Sequence, residues 1–429
     1  MSGTKSAVNF RGAAMPTARP LPRWLPLAVA ALWLALGWAW LARGAAHPGV
    51  PYRPWAFDHH AYSDLLAMGG DRYFGGGRPT PYLDDWIEYP PLLALALWLP
   101  SFVSHAPLAY FTVGYLFLAA CGLAAVALLA RVRGADVWWL AASPALAYYG
   151  GLNWDLFPIA LLAGAVLAHE RGRLAGAGAL AALGASAKLF PLAFVPAVAG
   201  ADSRAGRWRP LLAAGAAFAA VLVAANLPVA LAAPNGWSWF WRYNASRAAE
   251  NSVWELLRVS PQLAHLVSEA PFLDAVTAAL LALAAVASAA LAARVPPRAS
   301  PRAVRLACAL VLVVWITTNK VWSPQYALWA CAAGALAAAP RALLALHAAV
   351  AVADYHVAFE TRASRGLIHF FDAVYLTEEV VRFGAYALLA AWIGRELWRM
   401  ARPAGDHPPA PGAAAGTRPL HADAAQEAR

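Results

Sequence analysis

Two lysines are the most unusual charged residues of this chain. The sequence holds 30 arginines and three lysines, and two of these lysines, Lys188 and Lys320, lie within or beside apolar runs. An ionisable group at membrane depth is costly and is a functional hypothesis by default. A lysine ammonium is a compact charge that suits a phosphate oxygen, although a lysine at a span end can also simply reach the lipid headgroups. We expect Lys188 to bind an anion; for Lys320, at a span end, both interpretations stay open.

Acidic residues that could act as a general base are concentrated in the segment 44–90. Asp58 is predicted near the start of a short helix, where a carboxylate is often only an N-cap. Glu88 precedes Tyr89-Pro90-Pro91 and is its main competitor. Spacing alone does not choose among the acids of this segment, which are Asp58, Asp64, Asp71, Asp84, Asp85 and Glu88.

Further polar residues interrupt the apolar runs at predicted turns. Asn153 and Asp155 lie at one such turn, and Asn319 lies directly before Lys320. The segment 234–259 is rich in Trp and alternates with arginines, a pattern typical of an amphipathic segment in the membrane interface. Arg247 and Glu250 in this segment are three residues apart, so Arg247 is either a weak candidate for anion binding or half of a surface pair.

The elements that must position these residues are membrane helices. The chain has 429 residues, of which 61% are hydrophobic and 13% charged, and it contains 20 Trp. At about 20 residues per span this composition allows about a dozen spans and excludes an ordinary soluble enzyme. The net charge of +10 is spread over small basic groups between apolar runs, which argues against nucleic-acid binding.

Metal and disulfide chemistry are not predicted. No His and carboxylate cluster has the spacing of metal ligands, and the adjacent His59 and His60 would point apart on a helix. The three cysteines all lie inside apolar runs, where they are most simply small core residues.

The arginine clusters predict which side of the membrane each loop occupies. Cytoplasmic loops carry an excess of Lys and Arg, which places the segment 1–23 inside and the acidic loop 44–90 outside. The run 91–104 is short for a span, so we interpret it as re-entrant; as a full span it would invert every later cluster. The predicted domains are a cytoplasmic segment 1–23, a membrane domain 24–400 and a disordered cytoplasmic tail 401–429. The predicted spans are 24–43, 106–130, 137–152, 156–169, 174–187, 190–201, 210–233, 271–293, 306–318, 322–340, 342–358 and 378–400.

Five pieces in fixed order carry a family resemblance. They are an Asp followed by Tyr62-Ser63-Asp64, then Pro81-Tyr82 through Glu88-Tyr89-Pro90-Pro91-Leu92, then Asn153-Trp154-Asp155, Ala187-Lys188-Leu189-Phe190-Pro191, and Asn319-Lys320-Val321-Trp322-Ser323-Pro324-Gln325-Tyr326. The ordered set resembles glycosyltransferase family 87, polyprenyl-phosphate-dependent mannosyltransferases of the C-type membrane glycosyltransferase superfamily. The last third of the chain carries no matching motif.

This resemblance implies an all-α polytopic membrane enzyme of C-type architecture, with about 12 transmembrane helices and a long first outer loop. It implies transfer of a hexose, most simply mannose, from a polyprenyl-phosphate sugar to a lipid-linked or glycan acceptor at the outer face of the plasma membrane, with inversion. The base of the superfamily lies early in the first outer loop, which selects Asp58. The donor phosphate is assigned to Lys188, Lys320 and Arg247, without a cofactor. The expected substrate-binding residues are His59, Glu88, Asn153, Asp155, Asn319 and Gln325.

Two other classes of protein share some of these features. A secondary transporter also has broken helices and buried charges, but it usually shows two matching halves and a site near the membrane midplane. A non-catalytic polytopic protein gives no reason for lysines at membrane depth. Transfer from a radiolabelled polyprenyl-phosphate sugar separates these classes.

Overall fold

The computed structural model describes residues 22–47, 52–363 and 373–402. Most of the predicted segment 1–23 and nearly all of the predicted tail 401–429 lie outside the described residues. In the described part the chain folds into helices joined by loops and two isolated bridges. The helices are α1 (Leu25–Leu41), α2 (Tyr52–Asp58), α3 (Asp64–Arg72), α4 (Pro91–Trp98), α5 (Pro107–Leu129), α6 (Trp138–Ala141), α7 (Ala145–Tyr149), α8 (Leu156–Glu170), α9 (Leu174–Ala187), α10 (Phe194–Arg204), α11 (Trp208–Ala232), α12 (Pro234–Ser246), α13 (Ala270–Arg294), α14 (Ser300–Thr318), α15 (Tyr326–Ala337), α16 (Arg341–Ala363) and α17 (Ala373–Ala401).

Six helices in the described residues are long and apolar enough to cross a membrane, so the predicted count of 12 is not confirmed. They are Leu25–Ala46, Pro107–Leu129, Trp208–Ala232, Ala270–Arg294, Pro297–Thr318 and Arg341–Thr361. The predicted span over 137–152 is not a continuous helix, because this stretch forms the two short helices α6 and α7. Pro144 separates them, and proline interrupts a helix by removing a backbone donor.

The helices pack around α14, and α11 and α13 lie at the periphery. In the most apolar part of α14 67% of the residues are buried, against 6% in α11 and 11% in α13. Peripheral residues such as Leu212 and Leu231 expose large aliphatic side chains. Apolar faces of this extent suit contact with lipid, because hydrocarbon rather than water surrounds them there.

The arginine-rich helix ends gather at one end of the helix bundle. The end of α5 meets the end of α8, and the end of α8 meets the end of α10 and the start of α14. The contacts that join these ends are Arg133 N to Glu170 Oε2 at 3.0 Å, His169 Nε2 to Asp202 Oδ2 at 3.0 Å, Ser300 Oγ to Asp202 Oδ1 at 3.4 Å and Arg302 to Glu396 at 3.1 Å. This grouping agrees with the prediction that the arginine clusters share one side.

The run 91–104 begins and ends beside the same loop. Its helical part, α4 with the 3-10 turn Leu99–Phe102, covers Pro91–Phe102, which at about 1.5 to 2 Å per residue spans roughly 20 Å of a hydrocarbon core about 30 Å thick. Near its end, the Ser101 carbonyl accepts a hydrogen bond from Arg78 at 2.9 Å, and His105 Nδ1 lies 2.7 Å from the Tyr73 carbonyl. Both partners belong to the loop that precedes α4, so the geometry agrees with the re-entrant interpretation of 91–104.

Candidate active site

A polar cavity of about 690 Å³ lies among the helix ends opposite the arginine-rich ends. It is formed by the start of α3, the loop before α4, the break between α9 and α10, the end of α12, the start of α13 and the link between α14 and α15. The ionisable residues that line it are Asp64, Glu88, Lys188, Arg247, Glu250, Asp274 and Lys320, with Tyr62, Tyr89, Tyr243 and Tyr326. Carboxylates and cations therefore share one enclosure, as the sequence led us to expect for Glu88 and the three cations.

Asp64 stands at the first turn of α3, and the helix start is fixed against the segment before α8. The Ser63 hydroxyl accepts from the Leu65 amide at 3.2 Å, which is an N-cap, and donates to the Gly151 carbonyl at 2.6 Å. The Asp64 amide donates to the Leu152 carbonyl at 2.8 Å. These bonds hold the Asp64 backbone beside the Asn153 turn.

Two side chains orient the Asp64 carboxylate. The Tyr62 hydroxyl donates to Oδ1 at 2.8 Å, and Asn153 Nδ2 donates to Oδ2 at 2.6 Å. The Tyr89 hydroxyl lies 2.7 Å from the same Asn153 nitrogen. Burial, with the charge of Asp64, raises the pKa of Tyr62 well above its usual value, so Tyr62 stays protonated and remains a donor. Asn153, which we predicted to bind substrate, lies behind the cavity lining and contacts Asp64 and Tyr89.

Lys188 lies at the break between α9 and α10. Its backbone is extended, with φ −149° and ψ 148°, and a short 3-10 turn that contains Pro191 follows. A Cβ on Gly184 would lie 2.9 Å from the Pro191 ring, so glycine permits the close return of the chain at this break. The chain turns away from the axis of α9 at Lys188, and the ammonium group reaches the cavity.

Asp155 holds the Lys188 ammonium. Its Oδ2 accepts from Lys188 Nζ at 2.7 Å, and its Oδ1 accepts from Trp329 Nε1 at 2.6 Å. The ammonium also lies 5.6 Å from the centre of the Tyr89 ring, which is a cation–π distance. The sequence analysis assigned Lys188 to the donor phosphate and Asp155 to the substrate, and the structure joins them in an ion pair in which Lys188, but not Asp155, lines the cavity.

Lys320 and Arg247 occupy the opposite wall. Lys320 Nζ lies 2.7 Å from Asp274 Oδ1 and 3.3 Å from the Ala245 carbonyl, and Arg247 pairs with Glu250. An isolated bridge joins the two segments, because the Glu250 amide donates to the Lys320 carbonyl at 3.0 Å. This bridge presents both cations to the same space.

Glu88, Asn319 and Gln325, which we predicted to bind substrate, line the cavity. Asn319 Nδ2 lies 3.4 Å from the Tyr326 hydroxyl. Burial raises the pKa of Glu88 above its usual value, because desolvation disfavours the carboxylate. Its carboxyl oxygens can accept hydrogen bonds from hydroxyl groups, which suits a hydroxyl-rich ligand.

Asp58 and His59, which we predicted as the base and a substrate-binding residue, lie outside the cavity lining, and the predicted helix position of Asp58 is wrong. Asp58 is the last residue of α2, not an early one, so it is not an N-cap; it is exposed and lies outside the residues that line the cavity. His59 is exposed as well and stacks on Trp55 at 4.5 Å between ring centres. The acid that the structure brings to the cations is Asp64, six residues further on, which spacing alone had left open as a competitor.

Sequence reasoning missed Asp274. It lies near the start of α13, inside a run that we treated only as a span, and it pairs with Lys320. The available signal was the acid itself, because a carboxylate in an apolar run is as unusual as a lysine there.

An apolar groove of about 390 Å³ adjoins the polar cavity. Its walls come from α9, α11, α12 and the start of α4, and it includes Leu222, Val223 and Leu227 of the exposed face of α11. The residues shared by the groove and the cavity are Tyr89, Pro90, Leu189, Phe240 and Trp241. An amphiphile with an anionic head and an apolar chain fits this arrangement, since each part meets its own environment.

A search of the curated proteins finds no match for the chain. The model of glycosyltransferase family 87 matches residues 86–324, which is more than half of the chain and runs from the loop before α4 to the link between α14 and α15. The match contains Glu88, Asn153, Lys188 and Lys320, which meet in the cavity or directly behind it. The chain, with its membrane-length apolar helices and its cavity lined by carboxylates and cations, therefore belongs to glycosyltransferase family 87. Its activity is that of a glycosyltransferase.

Proposed function

We propose that this protein transfers a hexose, mannose by family resemblance, from a polyprenyl-phosphate sugar to a hydroxyl of a lipid-linked or glycan acceptor. The reaction takes place at the outer face of the plasma membrane, with both chain termini in the cytoplasm. The observation that carries the proposal is the continuity of the polar cavity with the apolar groove. A lipid donor needs both environments side by side, whereas a nucleotide sugar needs no apolar channel.

The groove is suited to the isoprenoid chain near the phosphate. Its α11 wall includes Val223, which is 52% exposed, and Leu227, which is 47% exposed, so it opens at the lipid-facing side of the bundle. A chain that enters from the side remains in hydrocarbon while its head reaches the cavity. Trp237 and Trp241 of α12 line the groove too, at the level where aromatic rings favour the interface.

Asp64 is the residue that we assign as general base, in place of Asp58. The acceptor hydroxyl gives its proton to the Asp64 carboxylate while its oxygen forms a bond to the anomeric carbon of the donor. The bond from that carbon to the phosphate oxygen breaks, and its electron pair leaves with the polyprenyl phosphate. Attack from the face opposite the phosphate inverts the anomeric configuration.

The cations stabilise the departing phosphate. Negative charge grows on the phosphate as the glycosidic bond breaks, and Lys188 and Lys320 provide positive charge in a partly desolvated cavity. Arg247 adds a third cation on the same wall as Lys320. Glu88, Asn319 and Gln325 supply donors and acceptors for sugar hydroxyls.

The test is a transfer assay with purified protein in lipid vesicles and radiolabelled polyprenyl-phosphate mannose. We expect wild-type protein to move the label to a membrane lipid extract used as acceptor. Asp64→Asn removes the base and should slow transfer by about 10² to 10⁴. Asp58→Asn is the matched control in the same loop and should stay within about twofold of wild type, because surface substitutions have small effects.

Chemical rescue separates a base from a structural carboxylate. Asp64→Ala leaves space beside Tyr62 and Asn153 in which added formate can accept the proton. A rate that rises with formate concentration supports the assignment, whereas loss of activity in Asp58→Asn with an active Asp64→Asn would return the base to Asp58. Label that never leaves the donor, with any acceptor extract, would contradict the proposed reaction.

A further inference from the structure

A buried arginine outside the family match contacts the wall of the cavity. Arg382 belongs to α17, far along the chain from residues 86–324, and is 2% exposed. Among the described residues, three carboxylates surround its guanidinium: it contacts Asp354 and lies 3.1 Å from Glu378 and 3.2 Å from Glu379. These contacts anchor the arginine between α16 and α17.

The remaining faces of the guanidinium meet the two segments that form the cavity wall. Arg382 donates to the Asn251 carbonyl at 3.0 Å, and its guanidinium carbon lies 3.9 Å from the centre of the Trp322 ring. Asn251 has φ 49°, a left-handed conformation that asparagine tolerates better than most residues. One side chain therefore holds a strained turn and a neighbouring ring at the same time.

Asn251 and Trp322 flank the bridge that presents the cations. The Glu250 amide donates to the Lys320 carbonyl at 3.0 Å, and the Trp322 amide donates to the Glu250 carbonyl at 2.9 Å. The first bond joins Lys320 to Glu250, which is the neighbour of Asn251, and the second starts at Trp322 itself. Movement of Arg382 would therefore reach Lys320 through Asn251 and Glu250, or through Trp322 and Glu250.

We propose that Arg382 is a positioning residue for donor binding, which acts by holding the backbone bridge between Glu250 and Val321, and with it the adjacent Lys320, in register. The proposal rests on the proposed function for the role of Lys320 toward the donor phosphate. Arginine is required because its planar fork donates to carboxylates and to the Asn251 carbonyl while its face covers Trp322. A lysine keeps the buried charge and cannot make both contacts.

The experiment compares Arg382→Lys with Arg305→Lys. Arg305 is also buried, but it lies at the arginine-rich end of α14, where it packs against Gly134. Arg382→Lys should raise the KM for polyprenyl-phosphate mannose about five- to tenfold with a smaller change in kcat, since couplings through one shared contact are of this size. Arg305→Lys should leave both parameters unchanged.

A second variant keeps Arg382 and its carboxylates in place. Trp322→Leu removes the ring that the guanidinium covers and should raise the donor KM in the same way. If Arg382→Lys does not accumulate in the membrane, Trp322→Leu can be used for the test instead. An unchanged donor KM in Trp322→Leu would overturn the proposal.

A double-mutant cycle shows whether Arg382 acts through Lys320. In a Lys320→Met background the second substitution Arg382→Lys should add little to the donor KM, because the contact that it positions is already gone. Independent, multiplying effects of the two substitutions would contradict a positioning role.

Amide hydrogen exchange gives a readout that does not depend on catalysis. The amides of Glu250 and Trp322 should exchange faster in Arg382→Lys than in wild type or Arg305→Lys. Faster exchange together with a normal donor KM in Lys320→Met would support the role of Arg382 in holding the backbone bridge. It would also reject the role of Lys320 in donor binding. Unchanged exchange of the Glu250 and Trp322 amides would reject the positioning role of Arg382, whatever sugar the enzyme transfers.

Discussion

The Lys188 ammonium lies 2.7 Å from Asp155 Oδ2, and both side chains are buried, with exposed fractions of 10% and 0%. The two residues come from different elements, the end of α9 and the turn before α8. Such a pair leaves an uncompensated charge when one partner is removed. Its geometry keeps the lysine extended toward the cavity.

We expect Asp155→Asn to destabilise the protein by about 3–5 kcal/mol, the usual effect of breaking a buried ion pair. Lys188→Met in the same chain should restore much of the lost thermal stability, because no isolated charge remains, but it should not restore donor affinity. Thermal unfolding in detergent and the donor KM measure the two effects separately. A double variant less stable than either single variant would show that the pair is not the source of the loss.

Lys320→Met and Asp274→Asn should change donor affinity in opposite directions. The first removes a cation, whereas the second removes a carboxylate that competes with the phosphate. Asp274 is 44% exposed, so solvent screens the pair and the gain should be at most about fivefold. Asp71→Asn is a close control, because Asp71 is 43% exposed and pairs with Arg53 away from the cavity lining. Equal effects of Asp274→Asn and Asp71→Asn on the donor KM would refute the competition.

Glu88→Gln should make thermal stability less sensitive to pH. Burial raises the folded-state pKa of Glu88, so its contribution is fully present below the unfolded pKa and is lost as pH rises through the folded pKa. The variant carries no charge at this position. The difference between its thermal unfolding midpoint and that of wild type should therefore shift in favour of the variant as pH rises from 4 to 8. An equal pH dependence of the unfolding midpoint in wild type and variant would argue against a desolvated carboxylate at Glu88.

Cysteine labelling tests which face of the membrane the cavity occupies. In a background free of Cys121, Cys308 and Cys331, we expect an impermeant thiol reagent added to intact cells to label cysteines at positions 58 and 86. Position 133, whose side chain is 94% exposed at the opposite end, should react only after the membrane is opened. Labelling of 133 and not of 58 in intact cells would invert the proposed orientation.

The sequence was most informative where a residue was out of place for its surroundings. Lys188 was recognisable because arginine is the usual cation of this chain, and the structure does bring it to the cavity with Lys320. Glu88, Asn319 and Gln325 followed from ordered motifs. The sequence analysis selected Asp58 as the base, whereas we propose Asp64. Choosing between them depends on where α2 ends and α3 begins, and composition does not locate helix boundaries to within a few residues.

Long-range partners were invisible for a different reason. Asp274 and Arg382 meet their partners only after distant helices pack, and neither belongs to a local pattern. The span count failed at 137–152 because an apolar stretch has the same composition whether it crosses a bilayer or folds into two short helices inside the protein. Hydropathy reports burial and does not distinguish lipid from protein as the surrounding medium.

Each cation of the cavity already has its own carboxylate: Lys188 has Asp155, Lys320 has Asp274 and Arg247 has Glu250. In the reaction that we propose, the spent polyprenyl phosphate at these cations competes with tethered carboxylates whose effective concentration is in the millimolar range or above. The carboxylates return to the cations as the phosphate moves away, so its departure leaves no unpaired charge behind. Pairing that weakens the first encounter with the donor thereby hastens product release, and it keeps the enzyme from being trapped by its own leaving group.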